Sequence, residues 1–190
     1  MKIKKAVKLV EETLPTKRYN HSIRVAETGK KMAEIFDGDP KKVELAGILH
    51  DLCKYEELSE LYQSVTKYDL GQDLLSYGSE ILHGPVAAAR LKDEYEIDDE
   101  EVYYAIYNHT TGRAHMNKTE KIIFIADYIE PKRTQPGVDD IRDIVFKDKN
   151  LDKAIYEISK RTVLHLVGKD KTVHLKTIEC LNYYNMHTEQ

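Results

Sequence analysis

The chain is predicted to be all-α, a bundle of about eight to ten helices. Three observations predict this. Apolar residues recur three and four positions apart through most of the chain, which gathers them on one face of a helix. No stretch alternates apolar and polar residues for more than about four positions, as a half-buried strand would. Helix punctuation recurs in order along the sequence, from Pro15 and Asp37-Gly38 through Asp39-Pro40 and Asn117/Glu120 to Gly168.

Residues 2 to 14 place Ile3, Ala6, Val7, Val10 and Leu14 at helical spacing and stop at Pro15. A second helix runs from Arg18 to Phe36, with His21 in its first turn, and Asp37-Gly38 ends it. Asp39-Pro40 is an N-cap followed by proline at the first helical position, and it leads through Val43, Ala46 and Leu49 to His50-Asp51. Residues 55 to 82 are less regular, with a short helix around Leu58 to Val65 and a loop over Gly71 to Gly78. His83-Gly84-Pro85 is expected to open the next helix, with His83 just ahead of its N-terminus. Asp98 and Glu101 form a capping-box pattern for a helix that ends at His109, before Thr110-Thr111-Gly112-Arg113. Asn117 and Glu120 cap a helix through Lys121 to Ile129, apolar nearly all round and therefore the central buried one. A short helix holds Ile141, Ile144 and Val145, and a long one runs from Leu151 to Val167. The last spans Thr172 to Tyr184, with Leu175, Ile178, Leu181 and Tyr184 inward.

At 190 residues the chain is long enough for one domain with a substantial core, so a single domain over 1–190 is expected, its core about 15–180. Composition excludes several classes of function. There is no apolar run of the roughly 18 residues a membrane span needs. The basic start, Met1 to Lys5, meets Glu11 and Glu12 before a signal-peptide core can form. Cys53 and Cys180 show neither finger spacing nor a disulfide framework, so each reads as a small buried hydrophobe in a reducing cytoplasm. A net charge of −4 argues against a nucleic-acid footprint and toward a small-molecule partner. A homodimer is compatible with all of this.

The informative stretch is Leu45 to Lys54. It reads as a helix end pressed into a core, yet it carries His50 and Asp51 side by side. An unpaired buried carboxylate costs several kcal/mol, so Asp51 needs a partner. A divalent metal suits an adjacent imidazole and carboxylate; a turn-capping Asp beside a hydrogen-bonded core His is the alternative. Further ionisable residues fall at helix ends or inside apolar helices: His21, His83, His109 and Asp127. They come from separate helices and can meet only in a shared core.

That order of His, His-Asp, His, His and Asp resembles the HD-domain superfamily of metal-dependent phosphohydrolases. The segments Arg18-Tyr19-Asn20-His21, Leu49 to Lys54, His83-Gly84-Pro85, His109 to Arg113 and Ala126-Asp127-Tyr128-Ile129-Glu130-Pro131 together resemble the YqeK family within it. The resemblance runs from about residue 15 to 180 and implies an HD-domain bundle. It implies a symmetrical bis(5'-nucleosyl)-tetraphosphatase that converts diadenosine tetraphosphate to two ADP by attack of metal-activated water on phosphorus. The implied metal ligands are His21, His50, Asp51 and Asp127, and the implied metal is iron. His83 and His109 would hold phosphate or a second metal. The alternatives are another HD reaction, on a nucleoside monophosphate or a guanosine alarmone, or a nucleotide-binding module without turnover.

On donor chemistry alone, manganese, cobalt, nickel or zinc would suit this His and carboxylate set as well as iron, singly or as a two-metal site. Asp51 is placed to orient or deprotonate the nucleophile. Phosphoryl transfer also needs cations around the phosphate oxygens, and Arg18, Lys54 and Arg133 are the candidates. Arg18 could instead be solvated near a helix start, and Lys54 could simply favour a helix C-terminus. Thr110 adds a hydroxyl beside His109. The family resemblance also puts Lys171, Thr172, Val173 and His174 beside the nucleotide, where the plain reading is an N-cap turn. His115, His165 and His187 match no motif and read as ordinary surface or core histidines. One of Tyr103, Tyr104 and Tyr107 could stack on a base, although core packing is the simpler reading.

Overall fold

The computed structural model describes residues 1–187; the last three residues of the expected 1–190 domain lie outside the described residues. Ten α-helices and one 3-10 turn follow in order, with no strand among the described residues. They are α1 (Ile3–Thr13), α2 (Thr16–Ile35), α3 (Pro40–Leu49), α4 (Leu58–Lys67), a 3-10 turn (Gln72–Ser76), α5 (Ser79–Tyr95), α6 (Glu100–Asn108), α7 (Lys118–Ile129), α8 (Val138–Phe146), α9 (Leu151–Val167) and α10 (Leu175–His187).

Local chemistry sets most of these boundaries. Asp39 accepts from the backbone N–H groups of Lys41 and Lys42 at the start of α3, with Pro40 at its first position. At the start of α7, Asn117 accepts from Glu120 N while the Glu120 carboxylate accepts from Asn117 N, a complete capping box. That box is itself buried and tied in, since Glu120 also takes Arg113 and Asn108. Helix α7 is the axis of the bundle: Ile122, Ile123, Phe124, Ile125, Ala126 and Ile129 are all buried, and α2, α3, α6, α8 and α9 pack around it. Each of these isoleucine and phenylalanine side chains contributes about 1.5–3 kcal/mol by leaving water. Helix α2 crosses α3 at two glycines, Gly29 and Gly47, where a side chain would meet Val43 and Ala26.

Four details differ from the sequence reading. Helix α2 begins at Thr16, so His21 lies in its second turn. The cap of α6 is Asp99, which accepts from Glu101 N and Val102 N, not Asp98. Helix α5 begins at Ser79, which leaves Pro85 inside it and His83 within the helix, not ahead of an N-terminus. Interior proline costs about 3 kcal/mol, but the turn before it is pinned by Gly78 O and by His83 Nδ1 on Ser79 O, and Leu82, Val86 and Leu91 are buried around it. The last helix begins at Leu175, not Thr172, and turns Thr177, Cys180 and Tyr184 inward; Leu175 is exposed because α9 covers the opposite face.

Candidate metal centre

Three helices, two C-caps and the turns after them deliver the polar residues to one point. Arg18, His21 and Arg24 stand three residues apart on α2, on one stripe of the helix. His50 caps α3, and the chain continues through a tight turn in which Lys54 N bonds back to Asp51 O, so His50, Asp51 and Lys54 are presented together. His83 comes from α5, His109 caps α6 with Thr110 after it, and Asp127 sits near the C-terminal end of α7.

Asp51 is the hub, buried and reached from both sides. Its Oδ2 faces Arg18 Nη1 at 2.8 Å, His50 Nε2 at 3.0 Å and His21 Nε2 at 3.6 Å. Its Oδ1 faces His83 Nε2 at 3.2 Å and His109 Nε2 at 3.8 Å. Asp127 Oδ1 lies 3.0 Å from His21 Nε2 and accepts from Arg133 Nη2 at 2.6 Å. The structure therefore brings together His21, His50, Asp51, His83, His109 and Asp127, and it places Arg18 and Arg133 on the two carboxylates. Lys54 Nζ lies 3.5 Å from His83 Nε2, and Thr110 Oγ1 3.1 Å from His109 Nε2.

The donor atoms fit a metal. His21, His50 and Asp127 each offer one ligand atom within 4.8 Å of the others, and so do His50, Asp51 and His109. His50, His83 and His109 engage a backbone carbonyl through Nδ1, which leaves Nε2 to face inward. The Nε2 atoms of His21 and His50 are buried without a hydrogen-bond partner. Orphaned buried nitrogens beside a buried and a half-buried carboxylate are what a bound cation would satisfy. His83 Nε2 and His109 Nε2 are 3.0 Å apart, a separation that two unprotonated imidazole nitrogens tolerate only with a proton or cation between or beside them.

The electrostatics divide the histidines. Burial tends to raise the Asp51 carboxyl, but His50 and His83 hold it well below the usual carboxylate range. Asp127 behaves alike: burial is outweighed by His21, His50 and Arg133, and the carboxyl stays ionised. His50 is raised, the pull of Asp51 overcoming burial, whereas burial lowers His83 and takes His109 down to about 3 with the help of His50 and His83. Burial also lowers Lys54.

A cavity of about 880 Å³ opens from this cluster. Asp51, Asp127, Arg18, Lys54, Thr110 and Arg133 form its polar end, and Phe124, Tyr128, Ile158 and Leu166 give it apolar walls. Lys171, Thr172, Val173 and His174 do not line it. Their segment adjoins the rim through Lys171 N, which donates to Leu166 O, while His174 is buried against Tyr77 at 4.4 Å. His165 lines the cavity as an exposed rim residue, which no motif signalled. Tyr103, Tyr104 and Tyr107 face a different, smaller pocket with Arg113 and Lys176. Glu130, which no sequence signal marks, is buried against His21 and Arg24.

Residues 18–132 match the family model described as HD domain. The chain is 67% identical over all 190 residues to the symmetrical bis(5'-nucleosyl)-tetraphosphatase of Staphylococcus aureus, covering 98% of that protein. It is 40% identical over 178 residues to the protein of the same name in Halalkalibacterium halodurans, covering 94% of each. A crystal structure from Clostridium acetobutylicum, described as a predicted HD superfamily hydrolase involved in NAD metabolism, matches with a TM-score of 0.92 at 36% identity, over 98% of both chains.

Proposed function

Because the chain belongs to the HD domain family, we propose that it is a symmetrical bis(5'-nucleosyl)-tetraphosphatase that hydrolyses diadenosine tetraphosphate to two ADP. The observation that carries the reading is Asp51, one buried carboxylate whose two oxygens face different pairs of histidines at the floor of an open cavity. In the reaction, water attacks one of the two central phosphorus atoms and the bond from that phosphorus to the central bridging oxygen breaks. The oxygen leaves with one ADP, and the water oxygen stays on the other.

His21, His50 and Asp127, with Asp51, would hold a divalent cation. Asp51 Oδ1, His83 and His109 would hold a second. When bound, such cations supply the positive charge that favours ionisation of water and offsets charge building on the phosphoryl group. The remaining chemistry belongs to the chain. Asp51 stays ionised and orients the attacking water. His83 and His109 stay neutral, with Nε2 as an electron-pair donor, so they act as ligands and not as cationic phosphate clamps. Among the described residues, no carboxylate lies within ion-pair distance of Lys54, which leaves its ammonium for the phosphate chain, with Arg18 and Arg133 on either side. The apolar walls at Tyr128, Ile158 and Leu166 suit a nucleoside, and Lys171, bonded to Leu166, would reach it at the rim, whereas His174 is packed away against Tyr77.

Iron is the metal we expect in the cell because the family resemblance implies it; the mixed imidazole and carboxylate set accepts iron without singling it out. A cytoplasmic location accords with two free buried cysteines. No helix among the described residues is long and apolar enough to cross a membrane. The test is product analysis: diadenosine tetraphosphate with metal-loaded protein should give ADP alone. ATP plus AMP, or intact substrate beside hydrolysis of a nucleoside monophosphate or guanosine alarmone, would overturn the assignment.

A further inference from the structure

The four histidines around Asp51 are held from behind in two ways. His50, His83 and His109 each engage a backbone carbonyl through Nδ1, of Gly47, Ser79 and Ile106 respectively, at 2.7 to 2.9 Å. His21 engages a carboxylate instead: its Nδ1 lies 3.1 Å from Glu130 Oε1.

Glu130 is built for that contact. It is 2% exposed, and its remaining acceptor positions are taken by Arg24 Nε at 2.6 Å, Arg24 Nη2 at 3.1 Å and the backbone N–H of Lys132 at 2.8 Å. A carboxylate so placed can only accept, so the hydrogen on His21 belongs on Nδ1. Nε2 is then the free electron pair, and it lies 3.0 Å from Asp127 Oδ1, a separation that two electron-rich atoms hold only with a cation beside them. Negative charge behind an imidazole also makes the opposite nitrogen a stronger donor. The contact has a second effect. His21 rides on α2, whereas Glu130 caps α7 three residues after Asp127, so it ties together the two helices that bring these donor atoms to one point.

We propose that Glu130 is a positioning residue, which fixes His21 in its Nδ1-protonated form and strengthens Nε2 as a metal ligand. The inference rests on the metal-centre reading above. Arg24 neutralises the carboxylate and is partly open to solvent, so its removal lets water reach Glu130, which keeps the backbone N–H of Lys132 as a donor.

The test uses full-length protein stripped of metal, with Mn²⁺ as the probe in calorimetry and ¹⁵N imidazole shifts reporting the His21 tautomer in the metal-free state. Glu130→Ala should bind Mn²⁺ about 10- to 100-fold more weakly and lose the single tautomer. Glu130→Gln, whose amide oxygen still accepts from Nδ1, should keep the tautomer and recover most of the affinity. Arg24→Ala should stay within about threefold of wild type, because Glu130 still faces His21. Unchanged affinity and tautomer in Glu130→Ala would overturn the proposal. If that variant does not fold, a tenfold or greater loss in Arg24→Ala would overturn it, by showing that the ion pair is what matters. Wild-type protein that takes up no Mn²⁺ would instead sink the metal-centre reading, whereas the tautomer measured without metal tests Glu130 separately.

Discussion

Gly47 lies so close to Ala26 that a Cβ at position 47 would stand 2.7 Å from Ala26 Cα and 2.9 Å from its backbone nitrogen. The clash would be with backbone, which cannot rotate away. The same glycine offers its carbonyl to His50 Nδ1, and the close crossing of α2 and α3 leaves the His21 and His50 rings 5.5 Å apart. Gly47→Ala should therefore cost about 1–3 kcal/mol of stability and weaken metal uptake together. Urea unfolding and Mn²⁺ calorimetry measure the two effects, and a variant with the wild-type midpoint would show that the crossing has slack.

Asp51→Asn keeps the shape of the hub but removes its charge and half of its acceptor capacity. Far-ultraviolet circular dichroism should remain that of a helical protein, while turnover of diadenosine tetraphosphate falls by about a hundredfold or more. Activity within tenfold of wild type would take Asp51 out of the mechanism.

Chelation should lower thermal stability and re-addition of metal should restore it. The buried Nε2 atoms of His21 and His50, and the carboxylates beside them, gain their partner only when a cation binds. A ligand that binds the folded state alone, at a hundred times its Kd, adds about 2.7 kcal/mol. A melting temperature indifferent to both treatments would argue against a metal at this point.

Alkaline pH should destabilise the fold through its thiols. Burial pushes the Cys180 thiol up to about 11 and raises Cys53 as well. The unfolded chain releases these protons first, so their contribution is complete below about pH 9 and is lost as pH rises through about 11. The unfolding free energy from urea titration should drop between pH 8 and pH 10, by up to about 1.4 kcal/mol per unit and thiol. Cys180→Ala should show a shallower drop; an identical slope would remove Cys180 as its source.

Much of the fold was legible because helix boundaries are settled locally. Asp39-Pro40 and Asn117/Glu120 act within one turn of themselves, and both caps form as their residue types require. Pro85 misled because proline favours a first turn, whereas here the burial of Leu82 and the anchoring of His83 on Ser79 carry the helix through it. The inward face of α10 misled for a related reason: both the 175/178/181 and the 177/180/184 rows hold residues that can be buried, and only docking on α9 chooses between them.

The site divides along the same line. Residue chemistry and order along the chain were enough to mark His21, His50, Asp51, His83, His109 and Asp127 as polar groups in apolar surroundings, since that conflict is visible wherever they end up. Glu130 carried no such mark: a glutamate before a proline at a helix end looks like a solvated cap. Its burial and its grip on His21 and Arg24 depend on how α2 settles against α7, between residues more than a hundred positions apart, and the facing of each Asp51 oxygen depends on how α2, α3, α5 and α6 converge. Side-chain type is a property of each position, but which nitrogen meets which oxygen is a property of packing, because a small shift between two helices is enough to exchange one partner for another.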